Sequence, residues 1–339
     1  MASLFRPRGR SQLSCCISFL RHYAQTKIRK PSLPKLVKLD DRRVIRIKGQ
    51  DSAKFLQGMI TNDLAQLENE DSNIMFSMFL NSQGRVLYDA LLYSVPNENS
   101  EYFLEVGSAA VEGIVKVLKM YKLRAKVEFV DASSEVDVWA MFSESGLIET
   151  DIQSDQKIVA YKDPRLDALG IRMLVPWNQS PVDLLNIGPH ISVGPAVYDE
   201  HRYKLGVAEG IDEIPQGNAL PLEYNLAWIN GVNFSKGCYI GQELTARTQH
   251  VGQIRKRIMP IQLLPQEKIK EYPQLAPQTP VKTDTGKGAG KICVMTGQYG
   301  LGLLRIKEVS ESKSLVVSDL NGNEVYLTAS APYWWPSQR

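Results

Sequence analysis

Apolar residues recur at helical spacing after Asp51, at Phe55, Leu56, Met59, Ile60, Leu64 and Leu67, and Asp51 stands where a helix cap is expected. Two strand-like runs follow, Ile74–Leu80 and Arg85–Val95, joined by Asn81-Ser82-Gln83-Gly84. The join predicts a hairpin, with Gly84 free to take a positive φ. Tyr102–Val106 predicts a further strand. Val111, Ile114, Val115, Leu118 and Tyr121 make Ala109–Lys122 an amphipathic helix, and Ala125–Asp131 and Val136–Phe142 predict strands. This order lacks regular βαβ alternation and predicts an α+β sandwich.

The polar stretch Ser143–Gln156 predicts a loop or solvated edge. Gly170–Val175 predicts a strand, Pro181–Leu185 a short helix, and His201–Gly206 a helical segment with Arg202 and Tyr203 at its start. Gly206–Gly217 and Pro221 mark a turn-rich connection. Past Gly252 the pattern changes. Short strands at Arg257–Leu264, Lys291–Met295, Gly302–Val309 and Leu315–Val317 alternate with Pro- and Gly-rich turns, which predicts a small β-barrel.

The 339 residues are 43% hydrophobic and 23% charged, enough apolar material for two or three cores. No apolar run approaches the ~20 residues a membrane helix needs. A soluble protein with no membrane partner is therefore expected.

Charge is uneven. No acid precedes Asp40, whereas Arg6, Arg8, Arg10, Arg21, Lys27, Arg29, Lys30, Lys35 and Lys38 all do. Leu13, Cys16, Ile17 and Leu20 fall on one helical face. An Arg-rich, acid-free, amphipathic start predicts a mitochondrial transit peptide rather than a nucleic-acid arm. A secretory signal fits less well, because the apolar run is broken by Ser and ends at Arg21. Arg21-His22-Tyr23-Ala24 resembles a matrix-peptidase site, so residues 1–23 are expected to be removed, with disorder continuing to about residue 30. Such a cut takes the formal net charge from +3 to −1 and gives no reason to expect a nucleic-acid partner.

Cys15 and Cys16 would leave with that segment, and Cys238 and Cys293 would remain. Two cysteines without paired spacing fit neither a disulfide scaffold nor a structural zinc site. They fit a reducing compartment such as the matrix. Cys238 lies between Gly237 and Gly241, with Lys236, Tyr239, Gln242, Glu243 and Arg247 close by. Glycines permit close backbone approach, and positive charge favours the thiolate that binds metal or attacks carbon. A buried cysteine in a turn is the alternative.

The segment Phe234-Ser235-Lys236-Gly237-Cys238-Tyr239-Ile240-Gly241-Gln242-Glu243 resembles the signature of the YgfZ branch of the glycine-cleavage T-protein (GcvT) superfamily. Arg202–Gly217 followed by Leu220-Pro221-Leu222-Glu223 is similar to the superfamily's "R…G…E…G, then P-L-E" stretch. Leu80-Asn81-Ser82-Gln83-Gly84-Arg85-Val86-Leu87-Tyr88-Asp89 is similar to its "N-x-x-G-x-x-x-D" hairpin. The cysteine segment discriminates best. With the presequence, the chain is most similar to the mitochondrial iron–sulfur cluster assembly factors of that branch.

The resemblance implies an α+β fold, a three-domain cloverleaf around a central channel, with ferredoxin-like α+β domains and a C-terminal β-barrel. It implies interleaved units: 35–60 with 135–225, then 61–134 with 226–250, then the barrel at 251–339. It also implies a matrix protein that aids [4Fe–4S] maturation with A-type scaffold proteins as partners. In the folate enzymes of the superfamily the channel holds tetrahydrofolate. Asp89, Glu209 and Glu223 would be its polar contacts here.

Clusters usually take four thiolates. Cys293 sits in the apolar run Lys291–Met295 and reads as core, so Cys238 would be one metal ligand of a [2Fe–2S] unit shared with a partner. The histidines are His22, His190, His201 and His250, and His250 is nearest in sequence to Cys238. The alternative is a folate-dependent aminomethyltransferase. Its Gly-Gly-x-x-Asp-Asp pattern is incomplete, with Arg85 and Tyr88 replacing a glycine and an aspartate. Asp89 alone survives as a general base, so a classical enzyme is not expected. A thiol enzyme using Cys238 would need an oriented histidine.

Overall fold

The computed structural model describes residues 32–336, apart from 69–72, 96, 97, 99, 146, 147, 149–157, 186 and 265–271. The expected transit peptide lies outside the described residues, as does most of the polar stretch from Ser143.

The chain runs β1 (Lys35–Lys38), β2 (Arg42–Lys48), α1 (Ser52–Met59), β3 (Ile74–Leu80), β4 (Val86–Ser94), β5 (Glu101–Gly107), α2 (Val111–Lys122), β6 (Glu128–Asp131) and β7 (Val136–Phe142). It continues through β8 (Val159–Lys162), β9 (Ile171–Pro176), α3 (Pro181–Leu184), β10 (Ile191–Ser192), α4 (Pro195–Leu205), α5 (Gly210–Glu213) and α6 (Gln242–Val251). The last part holds β11 (Lys256–Leu263), β12 (Pro280–Thr283), β13 (Gly288–Thr296), β14 (Tyr299–Arg305), α7 (Ile306–Glu311), β15 (Leu315–Ser318) and β16 (Glu324–Ala329).

These strands form two five-stranded sheets, ordered β10-β1-β7-β9-β8 and β3-β4-β5-β2-β6, and a closed barrel ordered β11-β14-β13-β12-β15-β16. The barrel closes where Ile261 of β11 pairs with Ala329 of β16. The fold is α+β. The segment 35–60 divides between the two sheets. Leu36 of β1 pairs with Met141, whereas Ile45 of β2 pairs with Leu104. Both strands bury apolar side chains, and the polar turn at Asp40 and Asp41 lets the chain cross between sheets.

One apolar core joins all three parts. It contains Phe76 and Leu91 of one sheet, Phe142 and Leu174 of the other, Tyr198 and Tyr203 of α4, and Ile258 and Leu301 of the barrel. A second packs α1 and α2 on the far face of their sheet, through Leu56, Ile114 and Leu118.

Three local expectations are corrected. The helical pattern after Asp51 is interrupted: α1 ends at Met59, where Ile60 turns extended and bridges to Phe79, and Leu64–Glu68 forms a separate 3-10 helix. Asp51 does not cap that helix with its side chain. Its carboxylate instead accepts the backbone N–H of Lys126 at 2.7 Å. The expected strand Gly302–Val309 ends at Arg305, and α7 follows, with Ile306 and Val309 packed on the barrel core.

Candidate functional site

Helix α1 leaves carbonyls without partners at its C-terminal end, as any helix does. The segment before α6 supplies the donors. Lys236 is only 8% exposed, and its Nζ donates to the carbonyls of Gln57, Ile60 and Asn62, each at 2.7 Å. The N–H of Ile240 donates to the carbonyl of Gly58 at 3.1 Å. Tyr239 is buried beneath the Lys236 ammonium, with Nζ 5.1 Å from its ring centroid. Two anchors on one helix end thus bracket a short arch. Gly237 and Cys238 form its exposed crest.

Lys236 was expected to supply positive charge beside the thiol. Its charge is instead taken up by three carbonyls, so it acts as a strut. Burial lowers its pKa to about 8. Burial also raises the Tyr239 phenol, to about 12.

Gly241 has φ +79, and a Cβ there would lie 2.4 Å from the Asn81 carbonyl oxygen and 3.0 Å from the Gly84 Cα. Gly84, at φ +76, would in turn meet Leu244 and the Gly241 carbonyl. The hairpin and the cysteine segment therefore touch backbone to backbone. Gly237 differs, since an added Cβ there would meet nothing within 4 Å. Its freedom is not used by any contact among the described residues.

Helix α6 starts directly after Gly241. Gln242 turns back to accept the N–H of Tyr239 at 3.3 Å. Glu243 and Arg247 are exposed on this helix, and their side chains make no hydrogen bond or ion pair among the described residues. His250 is exposed and its ring lies edge-on to Phe234. His201 is buried, with Nε2 2.8 Å from the Ala168 carbonyl, and His190 sits by the Gly188 carbonyl. Neither contacts Cys238. Among the described residues, no group of three or more His, Cys, Asp or Glu is placed to hold a metal ion. Cys293 is 2% exposed, and burial raises its thiol pKa to about 11.

Of the expected folate contacts, Asp89 and Glu209 come together and Glu223 does not join them. Asp89 and Glu209 belong to a buried ionic cluster between the two sheets and α4. Glu209 Oε1 accepts from Arg165 and Arg172, each at 2.7 Å. Arg42 lies 3.7 Å from Asp89 and 4.0 Å from Glu209 while donating to Glu105 at 2.9 Å. Arg202 grips Glu213 with two bonds of 2.9 Å. Asp89 Oδ1 accepts the N–H of Gly210 at 3.0 Å. Glu223 stands apart, in a recess of about 220 Å³ lined by Leu222, Leu244 and Thr248. Tyr88, where the transferase pattern has an aspartate, is buried and its hydroxyl contacts the Gly113 position of α2.

Sequence reasoning missed Arg42, Arg165, Arg172, Glu105 and Asp163. For Arg42, Glu105 and Arg172 the signal was a charge at an inward-facing strand position, as with Arg172 between Ile171 and Met173, whereas Asp163 and Arg165 lie in the loop between β8 and β9. It also missed the Gly58 carbonyl, which no side-chain pattern reveals.

Residues 255–337 match the family described as CAF17, C-terminal beta-barrel domain. The chain is 37% identical over 317 residues to the mitochondrial iron-sulfur cluster assembly factor IBA57 of Homo sapiens, covering 88% of this chain and 85% of the relative. The Mus musculus protein of that name matches equally. The homologue from Mycosarcoma maydis is 31% identical, covering 89% of this chain and 85% of the relative. Among solved structures, the glycine cleavage system aminomethyltransferase T from Bartonella henselae superposes with a TM-score of 0.68 at 14% identity, covering 91% of this chain and 88% of that one. That likeness is one of fold.

Proposed function

The chain belongs to the IBA57 family of mitochondrial iron–sulfur cluster assembly factors, and from that premise we propose that Cys238 offers one thiolate to a cluster shared with a partner. The protein is a mitochondrial iron–sulfur cluster assembly factor. The cluster is its cargo.

One observation carries the reading of Cys238. Its thiol stands on an exposed arch whose two feet are fixed to the end of α1. A ligand offered to another protein needs that combination of access and fixed position. Cys293 is buried and is a poor second ligand from this chain. Clusters need about four ligands, so the remaining ones come from outside. An A-type scaffold protein in the matrix supplies them, and the shared unit is [2Fe–2S] on the way to [4Fe–4S] products. Gly237 has no Cβ beside the thiol and leaves room for a partner's backbone. Glu243 and Arg247, exposed on the next helix, are charged groups available for docking that partner.

The test is anaerobic reconstitution with an A-type scaffold, ferrous iron and sulfide. The wild-type complex gains visible absorption and elutes as a heteromer. Cys238→Ser loses the absorption and keeps its far-UV circular dichroism. A Cys238→Ser complex with undiminished absorption would show that Cys238 is not a ligand.

A further inference from the structure

Helix α2 ends in a cluster of cations without partners. Residues 116–126 contain Lys116, Lys119, Lys122, Arg124 and Lys126 and no acid. None of the five makes an ion pair among the described residues. Glu112, one turn from Lys116, is the acid of this helix, and two further acids near its end are engaged. Asp51 accepts the Lys126 backbone N–H, and Glu128 pairs with Lys48 at 3.5 Å. Lys48, Lys122 and Lys126 line one open recess of about 500 Å³.

Apolar side chains project from the same corner. Met120 is 62% exposed and Leu123 87%. Leu123 has φ +46, which a bulky residue seldom adopts. By helical spacing Lys116, Lys119 and Met120 share the face opposite the buried Ile114 and Leu118, and the exposed Leu123 follows directly after the helix.

We propose that this surface docks the protein peripherally on an anionic bilayer, with Leu123 and Met120 entering the headgroup region and the basic side chains meeting lipid phosphates. Lysine is depleted in protein interfaces, and four of these five cations are lysine. A lysine-rich surface carrying exposed Leu and Met is the pattern of interfacial segments, whose long stems lie along apolar surface with the charge in water. Among the described residues no helix is long and apolar enough to cross a membrane. A peripheral contact needs none, and it revises the expectation that membranes are not partners. The inference stands independently of the role given to Cys238. Lys126 is joined to Asp51 before the first turn of α1, while Lys236 holds its last turn. The two surfaces are thus about 12 Å apart along the helix, which leaves the arch free while the corner is docked.

Co-sedimentation with phosphatidylcholine vesicles, with and without phosphatidylglycerol, tests the proposal. The protein starting at Ala24 is used, so that Arg6, Arg8, Arg10 and Arg21 do not contribute, and a second protein starting at Pro31 controls for Lys27, Arg29 and Lys30. Binding is expected only to the anionic vesicles and is expected to fall as salt is raised. Lys119→Gln with Lys122→Gln is expected to weaken it about fivefold per lysine, and Leu123→Ser about tenfold. All three positions are at the surface, and an unchanged melting temperature verifies each fold. Equal binding to neutral vesicles would overturn the proposal. So would anionic binding that survives either set of substitutions, or capture of an acidic protein in place of vesicles.

Discussion

Three carbonyls converge on the Lys236 Nζ at equal distances. Only a protonated amine has three N–H donors, so the arrangement is complete only when the lysine is charged. Burial opposes that charge and brings the pKa down to about 8, which still leaves it protonated at pH 7. Lys236→Met would leave the carbonyls without a donor, at a cost of about 2–3 kcal/mol. Urea denaturation should show the loss, and Lys236→Arg should not restore it, because a planar fork cannot fan into three carbonyls. An unchanged urea midpoint for the Met variant would mean that the arch is held by other contacts. The sequence suggested a different role for this lysine, as a charge next to a thiol. Proximity along the chain does not tell where a long side chain goes, and its partners lie more than a hundred residues upstream. Cys293 was legible, because an apolar strand run buries whatever it contains.

At the scale of elements, the hairpin and the cysteine arch meet through two glycines. Gly241→Ala places a Cβ 2.4 Å from the Asn81 carbonyl oxygen at a positive φ. A cost of about 1–3 kcal/mol is expected, with a lowered melting temperature. Gly237→Ala is the paired experiment. Its added Cβ meets nothing within 4 Å among the described residues, so its melting temperature should stay within the change of ordinary surface substitutions. Cluster formation with a scaffold should nevertheless weaken, if a partner approaches that crest. Equal melting temperatures for both variants would contradict this division of roles. Elements with a clear period were legible. Ile74–Leu80 and Val136–Phe142 are strands with the expected bounds. Helix α6 was not, since Thr245 is its buried residue and it offers no apolar stripe. It is placed by backbone approach at Gly84 and Gly241, which leaves no mark in hydrophobic periodicity. Helix α7 was hidden for the opposite reason. Its apolar residues continue a strand run, and the barrel core decides the turn.

In the whole molecule, the two sheets and α4 are tied by one buried ionic cluster. Its parts come from β2, β4, β5, the loop between β8 and β9, β9 and the 195–213 segment, and pairing across that range has no local signature. The interleaving of the sheets was equally invisible to a linear reading and entered through family resemblance alone. Glu209 is the shared acceptor. Burial by itself would raise its pKa, but Arg172, Arg165, Arg202 and Arg42 together hold it well below the ordinary 4.5. The native state therefore keeps this carboxylate ionised at a pH where the unfolded chain has taken up a proton. Its contribution is present in full above the ordinary value and is lost as the pH falls from there toward the native value. Glu209→Gln removes the contribution at every pH and leaves buried guanidinium groups short of countercharge, a loss of about 3–5 kcal/mol near neutrality. Unfolding free energies of wild type and Glu209→Gln, measured from pH 7 downward, should differ most at the neutral end and converge below 4.5. A gap that stayed constant through the acid range would mean that Glu209 contributes by packing and not by charge. Convergence would identify this carboxylate as an acid-sensitive tie between the two sheets.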